Sequence, residues 1–309
     1  MENKTLSIKS IYGILFQILS VSLFTLMVVT TRYLYKTTTY NPIEILVWRS
    51  VPLVTLNIII SNRNSIDIIN IKQKDSKIVF YRSIAGVLGI IGFFFTNYLL
   101  PPSIGTAIIK LNPLITNIAA IVIANERVSN IEVFGMIIAF GGVLMIIFDP
   151  SKVAFSLSSY LSQIYLFTIP LLTAVVQSIA IVLIRMMGQS LHYIISPTYL
   201  GMSTIILGFP LVLGALSLRG YVTQFTMFNT FLLSLVGLFG WAGQITSSRA
   251  LQLEKAARLT AINFDTVLLL LIDIFYFGET ISLIEIFGIT LIMFTVVGIA
   301  TLKILQLVN

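Results

Sequence analysis

The sequence predicts an all-α polytopic membrane protein, with ten transmembrane helices arranged as two inverted five-helix repeats. Of the 309 residues, 57% are hydrophobic and only 10% are charged, and the mean hydropathy is +0.99. A soluble domain carries charge on about a quarter of its positions, so these charges are too few to cover a surface in contact with water. This composition excludes a soluble enzyme, a nucleic-acid binder and a disordered protein. With no Cys and a single His, neither a metal site nor a cofactor is expected.

Ten apolar runs are long enough to cross a membrane, because a spanning helix needs about 20 mostly apolar residues. None of the runs alternates polar and apolar positions, as a transmembrane strand would. In chain order the predicted spans are Ile11–Thr31, Pro42–Ser61, Ile78–Leu100, Ser103–Ile123, Ile131–Phe148, Ser162–Ile184, Ile194–Leu218, Met227–Leu251, Ala256–Phe277 and Ser282–Leu302.

Positive charges predict the orientation of these spans, because cytoplasmic loops carry an excess of Lys and Arg. With the N-terminus inside, twelve Lys and Arg residues fall in inner segments and four fall in outer ones. We therefore expect both termini in the cytoplasm, and a cell membrane rather than an organelle membrane.

An internal repeat divides the chain into residues 1–150 and 151–309. Residues 126–135 recur as residues 279–288, with six of ten positions identical at a separation of 153. The same separation maps Arg32 onto Arg185. Each repeat holds five spans, and because five is odd the second repeat enters the membrane from the opposite side. Inverted repeats are typical of carriers, in which two halves rock and expose a central site to each side in turn.

Several repeated residues have a structural interpretation. The triplet Gly86, Gly89 and Gly92 recurs as Gly237, Gly240 and Gly243, and small residues let helices approach one another closely in lipid. Ser129 with Glu132, and Ser282 with Glu285, have the spacing of capping boxes at helix starts.

Ionisable side chains at membrane depth are costly, so each needs a partner or a functional role. In span two, Arg49 is predicted either to pair with Glu44 or a backbone carbonyl, or to clamp an anion or carboxylate in a cavity. Glu44 is therefore a candidate for an ion pair or for coupling. Arg82, near the start of span three, is expected to reach the headgroups.

Polar residues of span four lie on one helical face, at spacings of three and four residues. They are Ser103, Thr106, Lys110, Pro113 and Asn117. Such a face, with a lysine and a proline that frees a backbone carbonyl, is typical of a helix that lines a hydrated cavity, although helix–helix packing is an alternative.

Span nine carries Asp265, which is equivalent to Asn112 in the repeat and close to mid-membrane. This carboxylate is predicted to be neutral, paired with Lys110, or ready to bind a cation or proton. Asp273 is expected nearer the interface. Trp241 and Gln244 of span eight and Gln177 of span six are further candidates to line the cavity, because aromatic and amide groups suit an organic substrate.

The whole pattern resembles the drug/metabolite transporter superfamily, in particular its EamA-type members. In the first half the matching motifs are Trp48-Arg49-Ser50, Tyr81-Arg82-Ser83 and the stretch from Pro101 to Pro150, which contains Asn112-Pro113, Asn125-Glu126, Phe134-Gly135 and Asp149-Pro150. In the second half they are Gly278-Glu279 and Phe287-Gly288. The resemblance implies a secondary carrier that works by alternating access, with a central cavity bounded by spans three, four, eight and nine.

The resemblance leaves the substrate open, because relatives move amino acids, purines, S-adenosylmethionine, nucleotide sugars or sugar phosphates. Asn263-Phe264-Asp265 lacks the lysines that phosphate-carrying relatives use in span nine. Asp265 opposite Lys110 favours a zwitterion such as an amino acid or S-adenosylmethionine. The alternatives are a nucleotide-sugar-type exchanger, a non-transporting scaffold or receptor on a carrier fold, and, more weakly, a channel. The expected partners are the bilayer and a small-molecule substrate.

Overall fold

The computed structural model describes residues 8–69, 71, 73–112, 114–115, 130–147, 157–187, 191–219, 226–253 and 265–304. All regular secondary structure in these ranges is helical, which confirms the all-α class. The helices are α1 (Ile8–Thr37), α2 (Pro42–Arg63), α3 (Gln73–Leu99), α4 (Pro102–Ile109), α5 (Asn130–Ile147), α6 (Leu157–Met187), α7 (Ile195–Arg219), α8 (Met227–Leu253), α9 (Asp265–Phe275) and α10 (Leu283–Ile304).

Six of the described helices are long and apolar enough to cross a membrane: α1, α2, α3, α6, α7 and α8. Shorter apolar stretches occupy Ile137–Ile146 of α5 and Leu283–Thr295 of α10. Helices α4 and α9 cover only parts of predicted spans four and nine, whose remaining residues lie mostly outside the described ranges. The protein is therefore an integral multi-pass helical membrane protein, and the count of ten spans remains a prediction.

The most extensive helix contacts keep their pattern when each helix is replaced by the helix five places away in chain order. Helix α1 packs along α8 as α6 packs along α3, and α2 contacts α8 as α7 contacts α3. The pairs α2–α7, α4–α9 and α5–α10 each join a helix to its own equivalent. Most packing therefore joins the first half of the chain to the second.

Equivalent helices run in opposite directions where their contacts define a direction. Along α4, Ser103 contacts Asp273 and Lys110 contacts Asp265, so the α9 residue number falls as the α4 number rises. The α2–α7 contacts behave in the same way, because Val47 lies beside Gly208 and Val54 beside Gly201. Each of these two pairs is therefore antiparallel.

The glycine triplets lie at close helix–helix approaches, which confirms the packing role predicted for them. A Cβ added to Gly89 of α3 would lie 2.9 Å from the Gln177 Cγ of α6. A Cβ added to its repeat equivalent, Gly240 of α8, would lie 2.7 Å from the Arg49 Nε of α2. Since real Cβ atoms almost never come closer than 3.0 Å, larger side chains would push these helices apart.

Side chains close two helix starts as capping boxes. At α10, the Ser282 Oγ accepts from the Glu285 N–H at 3.1 Å, and the Glu285 Oε2 accepts from the Ser282 N–H at 2.9 Å, as predicted. The Ser129 box lies outside the described residues. A second capping box begins α2, where Asn41 and Glu44 exchange the equivalent bonds at 2.9 and 2.8 Å.

Candidate functional site

Lys110 and Asp265 form an ion pair between α4 and α9, with 2.9 Å between Nζ and Oδ2. Lys110 directly follows the last residue of α4, and its backbone N–H donates to the Thr106 carbonyl. At 1.5 Å per residue, Lys110 lies about 12 Å along the chain from the start of α4. The two side chains are 18% and 15% exposed, so the pair borders accessible space. Pairing with Lys110, one of the predicted states of Asp265, is thus the state observed.

Asn112 and Gln177 extend this polar group from α4 towards α6 and α3. The Asn112 Nδ2 donates to the Gln177 Oε1 at 2.8 Å, and the Gln177 Nε2 donates to the Gly89 carbonyl at 3.4 Å. Ser178 Oγ donates to the Asn112 carbonyl at 3.0 Å. The seam between α4 and α6 is therefore polar at the same level as the ion pair.

Several acceptor atoms around this group are buried and lack a hydrogen-bond partner among the described residues. They are the Asp265 Oδ1, the Asn112 Oδ1, the Thr106 Oγ1 and the Thr266 Oγ1. Unsatisfied buried polar atoms are costly, and they mark places where a ligand or water completes the bonding. Asn117, predicted to lie on the same face of span four, is outside the described residues.

Arg49 occupies a separate position among α1, α2 and α8. Its side chain is 2% exposed, and its Nε lies 3.2 Å from the Met27 Sδ. The predicted pair with Glu44 does not form, because Glu44 lies in the first turn of α2 and its carboxylate caps that helix. The Arg49 Nη1 has no hydrogen-bond partner in the described part of the chain.

Trp241 also lies between α2 and α8. Its indole Nε1 donates to the Oδ1 of the fully buried Asn57 at 3.0 Å. Gln244 lies one turn further along α8, is half-buried, and accepts at its backbone carbonyl from Ser248. The cavity roles predicted for Trp241, Gln244 and Arg49 remain predictions.

Two buried charged residues, Asp273 and Arg82, make contacts that the sequence did not predict, and the contact of Arg82 replaces the one expected with the headgroups. Asp273, expected near the interface, is fully buried, and its Oδ2 accepts from the Ser103 N–H at 2.7 Å in the first turn of α4. The signal in the sequence was the start of α4 at Pro102, whose free amides need an acceptor. Arg82, expected to reach the headgroups, is 5% exposed and donates to the Ser196 carbonyl of α7 at 3.3 Å.

A second ionic cluster joins the end of α1 to the α9–α10 connection. Glu279 Oε1 lies 2.9 Å from both the Arg32 Nη2 and the Lys36 Nζ. Arg32 also donates to the carbonyls of Asn97 and Tyr98 at the end of α3. Burial alone would raise the pKa of Glu279, but hydrogen bonds from Lys36 and Arg32 and their charges lower it below its usual value. This cluster therefore ties the two halves together at one end of the bundle.

A protein family, two individual proteins and a solved structure resemble this chain. Residues 11–148, which form most of the first predicted repeat, match the EamA-like transporter family. Solute carrier family 35 member G1 of Mus musculus is 27% identical over 207 residues, and the Homo sapiens protein of that name is 27% identical over 208 residues. These alignments cover 65% and 64% of this chain but only 55% of either relative.

A solved crystal structure of another protein covers 98% of this chain and 99% of its own, with a TM-score of 0.65 and 16% identity. At that identity the likeness concerns the fold alone. The fold defines an integral multi-pass helical membrane protein. The family match and the two relatives bear out the resemblance found in the sequence: residues 11–148 are similar to EamA-like transporters, and the findings support a transporter of the drug/metabolite transporter superfamily. The matched family is one of transporters rather than of enzymes.

Proposed function

We propose that this protein is a secondary carrier that moves a small zwitterionic metabolite across a membrane by alternating access. The observation that carries the proposal is the Lys110–Asp265 ion pair, which joins α4 and α9 across the two halves. The match of residues 11–148 to a transporter family supports it. An amino acid or S-adenosylmethionine is the favoured class of substrate.

The helix directions support an inverted arrangement of the two halves. Helices α2 and α7 are equivalent in the repeat and antiparallel, and so are α4 and α9. Halves inserted in opposite directions are related by an axis in the membrane plane, which allows a central site to face each side in turn.

The charges of the ion pair match those of a zwitterion. An ammonium group can take the place of the lysine beside Asp265, while Lys110 turns to the substrate carboxylate. Such an exchange conserves the net charge at the site, so no unpaired charge is left in a medium of low dielectric constant. A bare anion or cation would leave one member of the pair without a partner.

One end of the seam is held closed by contacts between the halves. Asp273 of α9 accepts from the backbone of α4, and Glu279 binds Arg32 and Lys36 of α1. From the charge distribution we place this end outside and both termini in the cytoplasm of a cell. In this state the substrate would enter from the cytoplasmic side.

Thermal-shift screening followed by counterflow tests the proposal. Purified protein is screened against amino acids, S-adenosylmethionine, nucleosides and nucleotide sugars, because a ligand that binds only the folded state raises Tm. Compounds that raise Tm are then loaded into proteoliposomes, and uptake of the labelled compound is measured. We expect exchange by the parent protein and loss of exchange in Lys110→Gln and Asp265→Asn.

Lys77→Gln serves as the control, since it removes an exposed lysine at the start of α3. It should exchange substrate at the parent rate. Ligand binding without counterflow would instead support a non-transporting receptor on the same fold. Exchange at the parent rate in both pair variants would refute the role assigned to Lys110 and Asp265.

A further inference from the structure

The orientation of the Asn112 amide is fixed by a chain of hydrogen bonds that begins at Gly89. The Gly89 carbonyl can only accept, so the Gln177 amide must present its Nε2 to it. The Gln177 Oε1 therefore faces Asn112, and because this oxygen also only accepts, Asn112 must present its Nδ2. The Asn112 Oδ1 is thus left as an acceptor without a donor among the described residues.

A second acceptor without a donor lies at the equivalent position of the other repeat. Asp265 follows Asn112 by 153 residues, which is the separation of the repeated motif. Its Oδ2 binds Lys110, while its Oδ1 is buried and unpaired within the described part of the chain. Lys110 precedes Asn112 by only two residues. Each repeat therefore supplies one buried oxygen without a partner among the described residues, and both belong to residues linked to Lys110, one through the ion pair and one through the chain.

We propose that Asn112 is a specificity-determining residue that, together with Asp265, accepts hydrogen bonds from the primary ammonium group of the substrate. This inference rests on the proposed carrier function, and it assigns the residues that bind the amino end of the substrate. Gln177 acts as a positioning residue, because its amide holds the Asn112 oxygen in place without contacting the substrate. An amine-free substrate leaves both oxygens unsatisfied and is rejected.

The neighbouring lysine favours a zwitterion over an inorganic cation. A lone cation at these oxygens would be repelled by the Lys110 ammonium, whereas a zwitterion brings a carboxylate that takes Lys110 as its partner. Both oxygens are covered in this structure, although the side chains of the ion pair keep some exposure. Separation of α4 from α9 during the transport cycle uncovers the Asp265 oxygen, and separation of α4 from α6 uncovers that of Asn112.

The test compares ligands that differ only in the amino group. Each amino acid, and S-adenosylmethionine, is paired with its analogue lacking the α-amino group, as leucine with 4-methylpentanoate, and Tm and competition are measured. We expect the parent to be stabilised by an amine-bearing member and not by its analogue. In Asn112→Leu the affinity for that ligand should fall about tenfold, the effect of one hydrogen bond to a charged group.

Two further variants keep the test decisive. Asn112→Asp keeps an acceptor at this position and should keep the preference for the amine, even if Asn112→Leu fails to fold. Asn97→Leu is the matched control, because the Oδ1 of Asn97, at the end of α3, is likewise buried and without a hydrogen-bond partner among the described residues. Asn97→Leu should show the parent selectivity.

Several results would overturn the assignment of Asn112. They are stabilisation of the parent by amine-free analogues to the same extent, stabilisation by no member of the panel, parent selectivity in Asn112→Leu, and lost selectivity in Asn112→Asp. Stabilisation by sodium over choline chloride that depends on Asn112 would indicate an inorganic cation site instead. Counterflow of an amine-free substrate would contradict this inference while leaving the carrier function intact, whereas absence of any counterflow would contradict the carrier function itself.

Discussion

Substitution of Gly142 by alanine should loosen the contact between α5 and α10. A Cβ at Gly142 would lie 2.8 Å from the Gly288 carbonyl oxygen and 3.0 Å from the Ile292 Cγ1. Ordinary contact begins at 3.4 Å, so the helices must part by 3.4 − 2.8 = 0.6 Å at this oxygen. Because the oxygen belongs to the backbone, it cannot rotate away. Overpacking of this kind costs about 1–3 kcal/mol.

Gly141 offers a matched control in the same helix. A Cβ there meets nothing within 4 Å, so Gly141→Ala should gain about 0.5–1 kcal/mol from the better helix propensity of alanine. Because both substitutions gain the same helix propensity, the two variants should differ by about 1–3 kcal/mol in the free energy of unfolding. Denaturant titration in detergent, followed by tryptophan fluorescence, measures this difference.

The contact is reciprocal, which gives the prediction a second test. A Cβ at Gly288 would lie 2.7 Å from the Gly142 carbonyl oxygen, so Gly288→Ala should be destabilising as well. The double variant should lose less than the sum of the single losses, because the first alanine already separates the helices. Equal stability of Gly142→Ala and Gly141→Ala would refute the close approach.

Three further predictions concern the hydrogen bonds and charges. Glu279→Gln should destabilise the protein by about 1 kcal/mol at neutral pH. Because the folded state lowers the Glu279 pKa, the loss of stability should be complete above about pH 4.5 and should vanish as pH falls through the lowered pKa. Measurement of Tm against pH for the parent and the variant checks this. Trp241→Phe should cost about 1–3 kcal/mol by leaving the buried Asn57 oxygen without its donor, and parent-like denaturant stability would contradict this. Ser282→Ala should cost about 0.5–2 kcal/mol through loss of the α10 cap, and an unchanged Tm would contradict that.

Composition and periodicity predict the helical membrane class, because the cost of placing polar side chains in lipid acts on each residue separately. The glycine triplets and the Ser282 capping box were also predictable, since both depend on local spacing. The Lys110–Asp265 pair was one of several predicted states, because the repeat places Asp265 and Asn112 at equivalent positions. Local patterns thus predict elements and some of the pairs between them.

Long-range geometry explains what local patterns miss. Glu44 and Arg49 are five residues apart, yet Glu44 turns back to its own helix start because free amides there are nearer than the guanidinium. Arg82 has a stem long enough for the headgroups, but the start of α7 offers a carbonyl at 3.3 Å and buries it. The contacts of Asp273 with Ser103, and of Trp241 with Asn57, join residues 170 and 184 positions apart, so no sequence window contains both partners.

Most helix contacts join the first half of the chain to the second, which has a consequence for synthesis of the protein. Helix α1 leaves the ribosome well before its main neighbour α8, which is synthesised about two hundred residues later. The main neighbour of α3 is α6, which is likewise synthesised later. During translation the early helices must therefore rest in lipid with their polar and glycine-lined faces uncovered. Premature termination should yield products that quality control recognises by those faces.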